Sequence, residues 1–251
     1  MTIEIKPLVV LPTYNEIENI EEVLTKIRTS LPECSVLVVD DNSPDGTADR
    51  ASELSSDLKN IEVLKRPKKS GLGSAYRDGF AWGLDKGFNV LIEMDADLSH
   101  DPASLKSLVE PFGDGCDLVI GSRYVKGGSI PNWSWHRKLL SKAGNQYAKI
   151  MLGVPVNDST AGFRAYSADI IKAIDLSTIH AEGYGFQIEM TFAVSKLKGK
   201  IREVPISFVD RVRGTSKMSI HITLEALLLV TKWGFGRLKR KSSSNGKQIV
   251  V

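Results

Sequence analysis

What most constrains this chain is its alternation. Apolar runs of strand length, each closing on a polar cluster, are separated by stretches with helical spacing. "LVVLPTYNE" ends a first strand, and "ENIEEVLTKIRTSL" carries Ile20, Val23, Leu24 and Ile27 at helical intervals. "SVLVVDDNSPDGT" is a second buried strand followed by turn residues. "TADRASELSSDL" then reads as a helix capped by Thr47, "IEVLKRP" as a short strand, "GLGSAYRDGFAWGLDKG" as a helix entered through glycines, and "NVLIEMDAD" as another strand. Strands alternating with helices imply an α/β fold with a mainly parallel sheet flanked by helices, right-handed crossovers, and ligands at the carboxyl ends of the strands.

Three of those strand ends are polar: Thr13-Tyr14-Asn15-Glu16, Asp40-Asp41-Asn42-Ser43 and Asp95-Ala96-Asp97. In a parallel sheet such ends share one edge, so the three clusters can converge on one crevice. Asp95 and Asp97, at i and i+2 at the end of a strand, face the same side because side chains alternate along it, and two neighbouring carboxylates call for a positive partner. A divalent metal bound to a phosphate ester fits, because a hard cation takes oxygen ligands and keeps water or phosphate in its other positions. The plainer alternative is a turn in which Asp97 or Ser99 caps the helix opening near Pro102. The first turn, "PTYNE", is not G-x-G-x-x-G, and "SGLGSA" at 70–75 does not match it either. With no G-x-x-x-x-G-K-[ST] present, both a dinucleotide dehydrogenase and a P-loop phosphotransferase are disfavoured. Gly71 and Gly73 read as turn formers.

At 251 residues the chain has room for one large α/β domain or two small ones. Its net charge of +3 is too small to argue for nucleic acid, and much of the excess lies in "RLKRK" at 237–241. Cys34 and Cys116 stand alone without metal-ligand spacing and read as reduced packing residues. The N-terminus reads directly as a strand, not as a secretory leader. The longest apolar run, "SIHITLEALLLVTKWGFG", is broken by Glu225 and Lys232 and falls short of the about 20 apolar residues that span a bilayer.

"VVLPTYNEIENI", "VVDDNSPDGTAD", "GLGSAYRDGF", "MDADLSHDP", "IGSRYVKGG", "AGFRAYS", "GYGFQIEM" and "VPISFVDRVRGTSKMS" occur in the order seen in polyprenol-phosphate (dolichol-phosphate) mannose synthases of glycosyltransferase family 2. The resemblance runs from about residue 7 to residue 219. It implies a GT-A type nucleotide-sugar fold, GDP-mannose as donor and a polyprenyl or dolichyl phosphate as acceptor, with inversion at the sugar. Carried over residue by residue, Pro12, Tyr14 and Glu16 resemble guanine and ribose contacts, with Val39 and Asp41 lining the same pocket. Asp95 and Asp97, with Ala96 between them, resemble the metal and diphosphate pair, the metal being Mg2+ or Mn2+. Several members carry Gln in place of Ser99 as a further ligand, so water completes the coordination here. Arg123, Arg137 and Ser141 resemble the acceptor-phosphate site, and Arg211 and Lys217 are assigned to the donor.

The residue types fit that chemistry on their own terms. A metal stabilises a leaving diphosphate as a Lewis acid. A phosphate monoester carries about 1.5 to 2 negative charges near neutral pH, so it is already a nucleophile and needs cationic holding more than a base. Arginine's planar fork suits that task. "FVDRVRGTSKMS" reads as a cationic loop able to close over a diphosphate. His100 reads as a partner for a local backbone group, and Gly183 to Glu189 either as a lining of the acceptor cleft or, the plainer reading, as helix packing through Phe186, Ile188 and Met190.

A helix over 219–236 would place Ile220, Leu224, Leu227 and Leu228 in one stripe, with Ala226, Val230 and Trp233 beside it, followed by a basic tail over 237–251. Aromatic residues next to basic ones suit a membrane interface, while packing on the core is the plainer alternative. The expected organisation is a transferase domain over 1–218, this amphipathic helix, and the tail. The chain would act peripherally on the cytoplasmic face of a membrane, by itself or beside a membrane-anchored partner subunit. A UDP-sugar transferase on the same fold remains open, as does a catalytically silent nucleotide-binding subunit, against which Asp95, Asp97, Arg123 and Lys217 argue.

Overall fold

The computed structural model describes residues 4–210 and 220–245. Seven strands form one sheet: β1 (Pro7–Thr13), β2 (Ser35–Asp40), β3 (Ile61–Lys65), β4 (Val90–Glu93), β5 (Leu118–Ser122), β6 (Arg164–Ser167) and β7 (Ile201–Pro205), in the spatial order β3-β2-β1-β4-β6-β5-β7. Every pairing is parallel except those of β6, which runs antiparallel to both β4 and β5. The mainly parallel α/β sheet is as the alternation implies. The reversed strand is not, because "RAYS" is four residues long and carries no directional signal.

Helices α1 (Ile20–Ser30), α2 (Thr47–Leu58), α3 (Leu72–Asp85), α4 (Leu105–Val109), α5 (Trp135–Leu152), α6 (Ala168–Ala173), α7 (Tyr184–Lys196) and α8 (Ile220–Asn245) complete the described residues. Ile20, Val23, Leu24 and Ile27 are buried on α1 in one core layer with Val9, Leu11, Val36 and Val38. Leu8, Val10, Leu37 and Val39 point to the other layer, with Tyr76, Phe80 and Phe186, as strand alternation requires. Helix α3 lies close on that face because Gly79 and Gly83 present no side chain where Val10, Leu8 and Leu91 pack. Thr47 does not cap α2. It is the first helical residue, and Asp45 accepts its N–H at 3.1 Å and its hydroxyl at 2.6 Å.

Helix α8 packs on α5 and α7 and runs on through residues 236 and 237. Ala226 and Val230 are buried beneath it, whereas Leu224, Leu227, Leu228 and Phe235 are exposed. The core-packing reading thus holds for the face that carries Ala226 and Val230. Among the described residues no helix is long and apolar enough to cross a membrane.

Candidate active site

A cleft of about 680 Å3 opens beyond the carboxyl ends of the strands. Its first wall is the β1 and β2 side, where Pro12, Tyr14, Glu16 and Asp41 line it together. Each strand is followed by an asparagine at φ 59°, Asn15 and Asn42, one of the few residue types that tolerate this conformation. Asp40 closes the turn, accepting from the Thr13 hydroxyl (2.9 Å) and from Ser43 N–H (2.8 Å). That leaves its neighbour at the cleft. Asp41 pairs with Arg66 Nη1 at 2.5 Å, and Arg66 also meets Asp78 at 2.9 Å. The Lys69 ammonium sits 4.0 Å over the Tyr14 ring. Val39 does not line this pocket as expected: the pleat turns its fully buried side chain into the core against α3.

The carboxylate pair belongs to the cleft lining, with Ala96, Ser99 and His100. Strand β4 stops at Glu93, so Asp95 and Asp97 belong to the turn beyond it and not to one strand face. This turn is held from several sides. Asp97 Oδ1 accepts Ser99 N–H at 3.0 Å, and Asp95 donates its N–H to His100 Nδ1 at 3.1 Å. His100 is buried and stacked on Phe163 at 5.0 Å, so it supports the backbone, as read. The Tyr76 hydroxyl lies 3.4 Å from Asp95 Oδ1. Burial first, and then the charge of Asp95, push that phenol well above the usual tyrosine range, so it stays a donor. The helix cap belongs to neither Asp97 nor Ser99. Asp101 accepts Ala103 N–H at 3.0 Å. Two carboxylates on one cleft wall fit a hard divalent cation that takes its remaining ligands from phosphate and water. Among the described residues no group of three or more His, Cys, Asp or Glu side chains forms a full protein cage.

The lining also carries two arginines. Arg123 and Arg137 both reach the cleft, with Trp133 and Phe208. The Arg123 fork is already engaged: Nε and Nη2 donate to Asp158 at 2.7 and 2.6 Å, and its backbone N–H donates to the same carboxylate at 3.0 Å. Burial alone would push the carboxyl up and the guanidinium down, but their mutual attraction reverses both, leaving Asp158 below the usual carboxylate range. Arg123 therefore meets a ligand as half of a rigid pair, enclosed by the rings of Tyr124, Trp133 and Phe208. Arg137 is half exposed, stacks 3.8 Å over Trp133 and pairs with Asp210 at 3.0 Å. Ser141 stands apart from the cleft lining, because one turn further along α5 its hydroxyl faces Tyr124 and accepts that phenol at 2.6 Å. Arg211 and Lys217 lie outside the described residues.

Helix α7 contributes Tyr184 and Gln187, three residues apart on one helix face, along with Gly183 just before it. Phe186, Ile188 and Met190 are indeed buried, so the packing reading is right for them and misses the alternate face. Glu182 accepts Gly73 N–H at 2.7 Å and Ser74 N–H at 3.2 Å, filling the start of α3 with a carboxylate of the chain itself. Gly71 is a turn former at φ 96°, as read, whereas Gly73 is the second residue of α3, where a side chain would meet the Ala181 carbonyl and Phe186. Beneath the carboxylate turn, burial pushes Glu93 up to about 8 against the pull of Arg164, Gln187 and Tyr166. Sequence reasoning missed Asp158, Trp133 and Phe208, and preferred packing for the stretch that holds Tyr184 and Gln187. The polar run "NDST" before "AGFRAYS" and the glycine-flanked Tyr184 were the available signals.

Residues 8–175 match the family model described as Glycosyl transferase family 2. The chain is 52% identical over 227 residues to an undecaprenyl-phosphate mannosyltransferase of Micrococcus luteus, covering 90% of this chain and 93% of that one. It is 46% identical over 237 residues to a polyprenol monophosphomannose synthase of Mycolicibacterium smegmatis, covering 94% and 89%. Among solved structures, glucosyl-3-phosphoglycerate synthase of Mycobacterium tuberculosis in complex with Mn2+ and UDP-glucose is similar with a TM-score of 0.67 at 20% identity, over 91% of this chain and 78% of that one.

Proposed function

The chain belongs to glycosyltransferase family 2, and we propose that it transfers mannose from GDP-mannose to a polyprenyl or dolichyl phosphate, with inversion. The observation that carries this reading is one cleft lined by Pro12, Tyr14, Glu16 and Asp41, a carboxylate pair and two arginines. The names of the relatives support the mannosyl group and the polyprenyl phosphate acceptor, and the motif resemblance supports GDP as the carrier. Pro12, Tyr14, Glu16 and Asp41 hold the nucleoside. Asp95 and Asp97 would hold Mg2+ or Mn2+, whose chemistry is to neutralise charge on the leaving diphosphate. Arg137 and the Arg123 side of the cleft hold the acceptor phosphate, whose oxygen attacks the anomeric carbon as GDP departs from the other face. No protein base is required, since the attacking oxygen already carries charge. Arg211 and Lys217 would complete the donor side.

The deciding experiment offers labelled GDP-mannose and UDP-glucose with polyprenyl phosphates and extracts the organic phase. Label from GDP-mannose alone supports the reading, label from UDP-glucose reassigns the donor, and none in either sinks it. Asp97→Ala should abolish transfer while shifting the thermal midpoint by only a few degrees, because lost charge repulsion offsets lost contacts. Transfer that survives full chelation would remove the metal.

The lipid acceptor also requires a membrane surface. The exposed Leu224, Leu227, Leu228 and Phe235 of α8, and Trp135, Leu139 and Leu140 of α5 near Arg137 and Lys138, support peripheral attachment. Cutting after Ser219 would also strip Ala226 and Val230 from the core, so replacement of the exposed face is the cleaner test. Leu224→Ser with Leu228→Ser and Phe235→Ser should lower co-sedimentation with anionic liposomes and leave GDP-mannose binding intact. Unchanged co-sedimentation would move attachment elsewhere, including to a membrane-anchored partner.

A further inference from the structure

Two donors on the cleft wall meet at one point. Trp133 Nε1 donates to Asp210 Oδ1 at 2.9 Å, and Arg137 Nη1 donates to the same oxygen at 3.0 Å. Arg137 also lies 3.8 Å over the Trp133 ring, so cation and indole form one unit around a shared oxygen position. All three residues line the cleft. The oxygen that fills this position belongs to a weakly held carboxylate. The Arg137 and Asp210 side chains are 48% and 41% exposed, and an ion pair so open to solvent adds little stability. Arg123, whose guanidinium lies 5.4 Å from the same indole ring, is the opposite case. Its fork is closed on Asp158, and the two side chains are 4% and 0% exposed. Of the two carboxylates that face these arginines, Asp210 is the one placed to leave.

We infer that the Trp133 N–H and Arg137 are the donor pair that receives the acceptor phosphate, and that Asp210 fills their shared oxygen position until the phosphate displaces it; this deepens, and rests on, the proposed transfer to a polyprenyl phosphate. Charge selects this class of ligand. With Asp158 and Asp210 both in place the two arginines are matched, so a phosphate monoester of about 1.5 to 2 negative charges meets no net attraction from them. Departure of Asp210 frees one cation and two converging donors at once. A phosphate oxygen accepts as a carboxylate oxygen does, and the remaining N–H groups of the Arg137 fork suit a second oxygen of the same phosphate. A neutral hydroxyl offers no charge with which to take a guanidinium from a carboxylate. The indole enforces the exchange: Trp133 is 6% exposed, and its buried N–H needs an acceptor whenever Asp210 is away. A charged acceptor thus opens its own place on the wall, and an uncharged prenyl alcohol leaves the carboxylate where it is.

The test joins NMR to steady-state kinetics. The Trp133 indole N–H of the isotope-labelled chain is assigned by its absence from Trp133→Phe or, if that variant does not fold, by its displacement in Asp210→Asn. A short water-soluble prenyl phosphate, the matching prenyl alcohol and inorganic phosphate are then titrated separately. The resonance should move with prenyl phosphate, at lower concentration than inorganic phosphate requires, and stay still with the alcohol. In transfer assays Asp210→Asn keeps the shape and removes the competing charge, so the acceptor KM should fall about two- to fivefold while the GDP-mannose KM stays within about twofold. Trp133→Phe keeps a ring under Arg137 and removes the N–H, so the acceptor KM should rise about tenfold, again with little change for GDP-mannose. A higher acceptor KM in Asp210→Asn would make Asp210 a mere support for Arg137 and overturn the inference. Equal changes in both KM values, or a resonance that moves with the inorganic ion alone, an adventitious ion only, would overturn it too. A resonance that follows prenyl phosphate while no mannose leaves GDP-mannose would keep this inference and sink the donor reading; normal transfer with a still resonance would do the reverse. A chain that neither transfers mannose nor responds to prenyl phosphate sinks both.

Discussion

Asp158 and Glu93 are both fully buried at the cleft, each with an arginine for a neighbour, yet one is held ionised and the other neutral. Asp158 receives the Arg123 fork and a backbone N–H, so its charge is matched donor by donor. Glu93 faces Arg164 across the β4–β6 pair, but Arg164 gives its donors to the carbonyls of Gln187 and Ser159 and to Thr191. Its charge reaches Glu93 without a hydrogen bond. The lesson is that the guanidinium fork and a backbone N–H together keep Asp158 ionised, whereas at Glu93 the unbonded charge of Arg164 and the neutral donors of Gln187 and Tyr166 fall short of the desolvation penalty.

The sharpest way to break this contrast is Asp158→Ala. It leaves Arg123 charged and unpaired within three aromatic rings, and should destabilise the protein by about 3–5 kcal/mol in urea unfolding. Replacing Arg123 as well, as Arg123→Leu with Asp158→Leu, should recover most of that. A loss under about 1 kcal/mol for the single change would mean the pair is already solvated. Next in size is Arg123→Lys, which keeps the charge and loses the fork. Transfer should fall about tenfold, near 1.4 kcal/mol, with GDP-mannose affinity little changed. Because the fork lies on Asp158, the thermal midpoint should fall too, and equal loss of donor affinity would move Arg123 to the nucleotide side.

The smallest effect is expected at Glu93. Its folded value is raised from 4.5 to about 8, so the stability it allows is fully present below 4.5 and is lost as pH climbs towards 8, where the unfolded chain is ionised first. Glu93→Gln removes this dependence. At pH 5 the variant should lie within about 1 kcal/mol of wild type, and its relative stability should improve steadily up to pH 8. Parallel pH profiles would show that Glu93 titrates normally.

The same contrast marks what the sequence made legible. Strand-end clusters at Pro12 to Glu16, Asp41, and Asp95 to Asp97 stand out because short parallel units put chemistry at predictable places, and all of them line the cleft. The Arg123–Asp158 pair joins residues 35 apart across an irregular connection, with no periodicity to announce it. Val39 was misplaced because a strand's final residues alternate between cleft and core. Tyr184 and Gln187 were hidden in a helix that is apolar on most sides, where Phe186, Ile188 and Met190 dominate the pattern.

Glu182, seated in the first turn of α3, ties together positions 109 residues apart. A segment ending at residue 175, where the family match stops, would keep Asp41, Asp95, Asp97, Arg123 and Asp158. It would also expose the α3 N–H groups, remove Phe186 from between the layers, and lose β7 from the sheet edge. The unit that can be recognised and the unit that can be transplanted therefore have different borders. A chimera joining this catalytic module to another protein should place its junction after β7, with α8 carried along as the cover of α5 and α7.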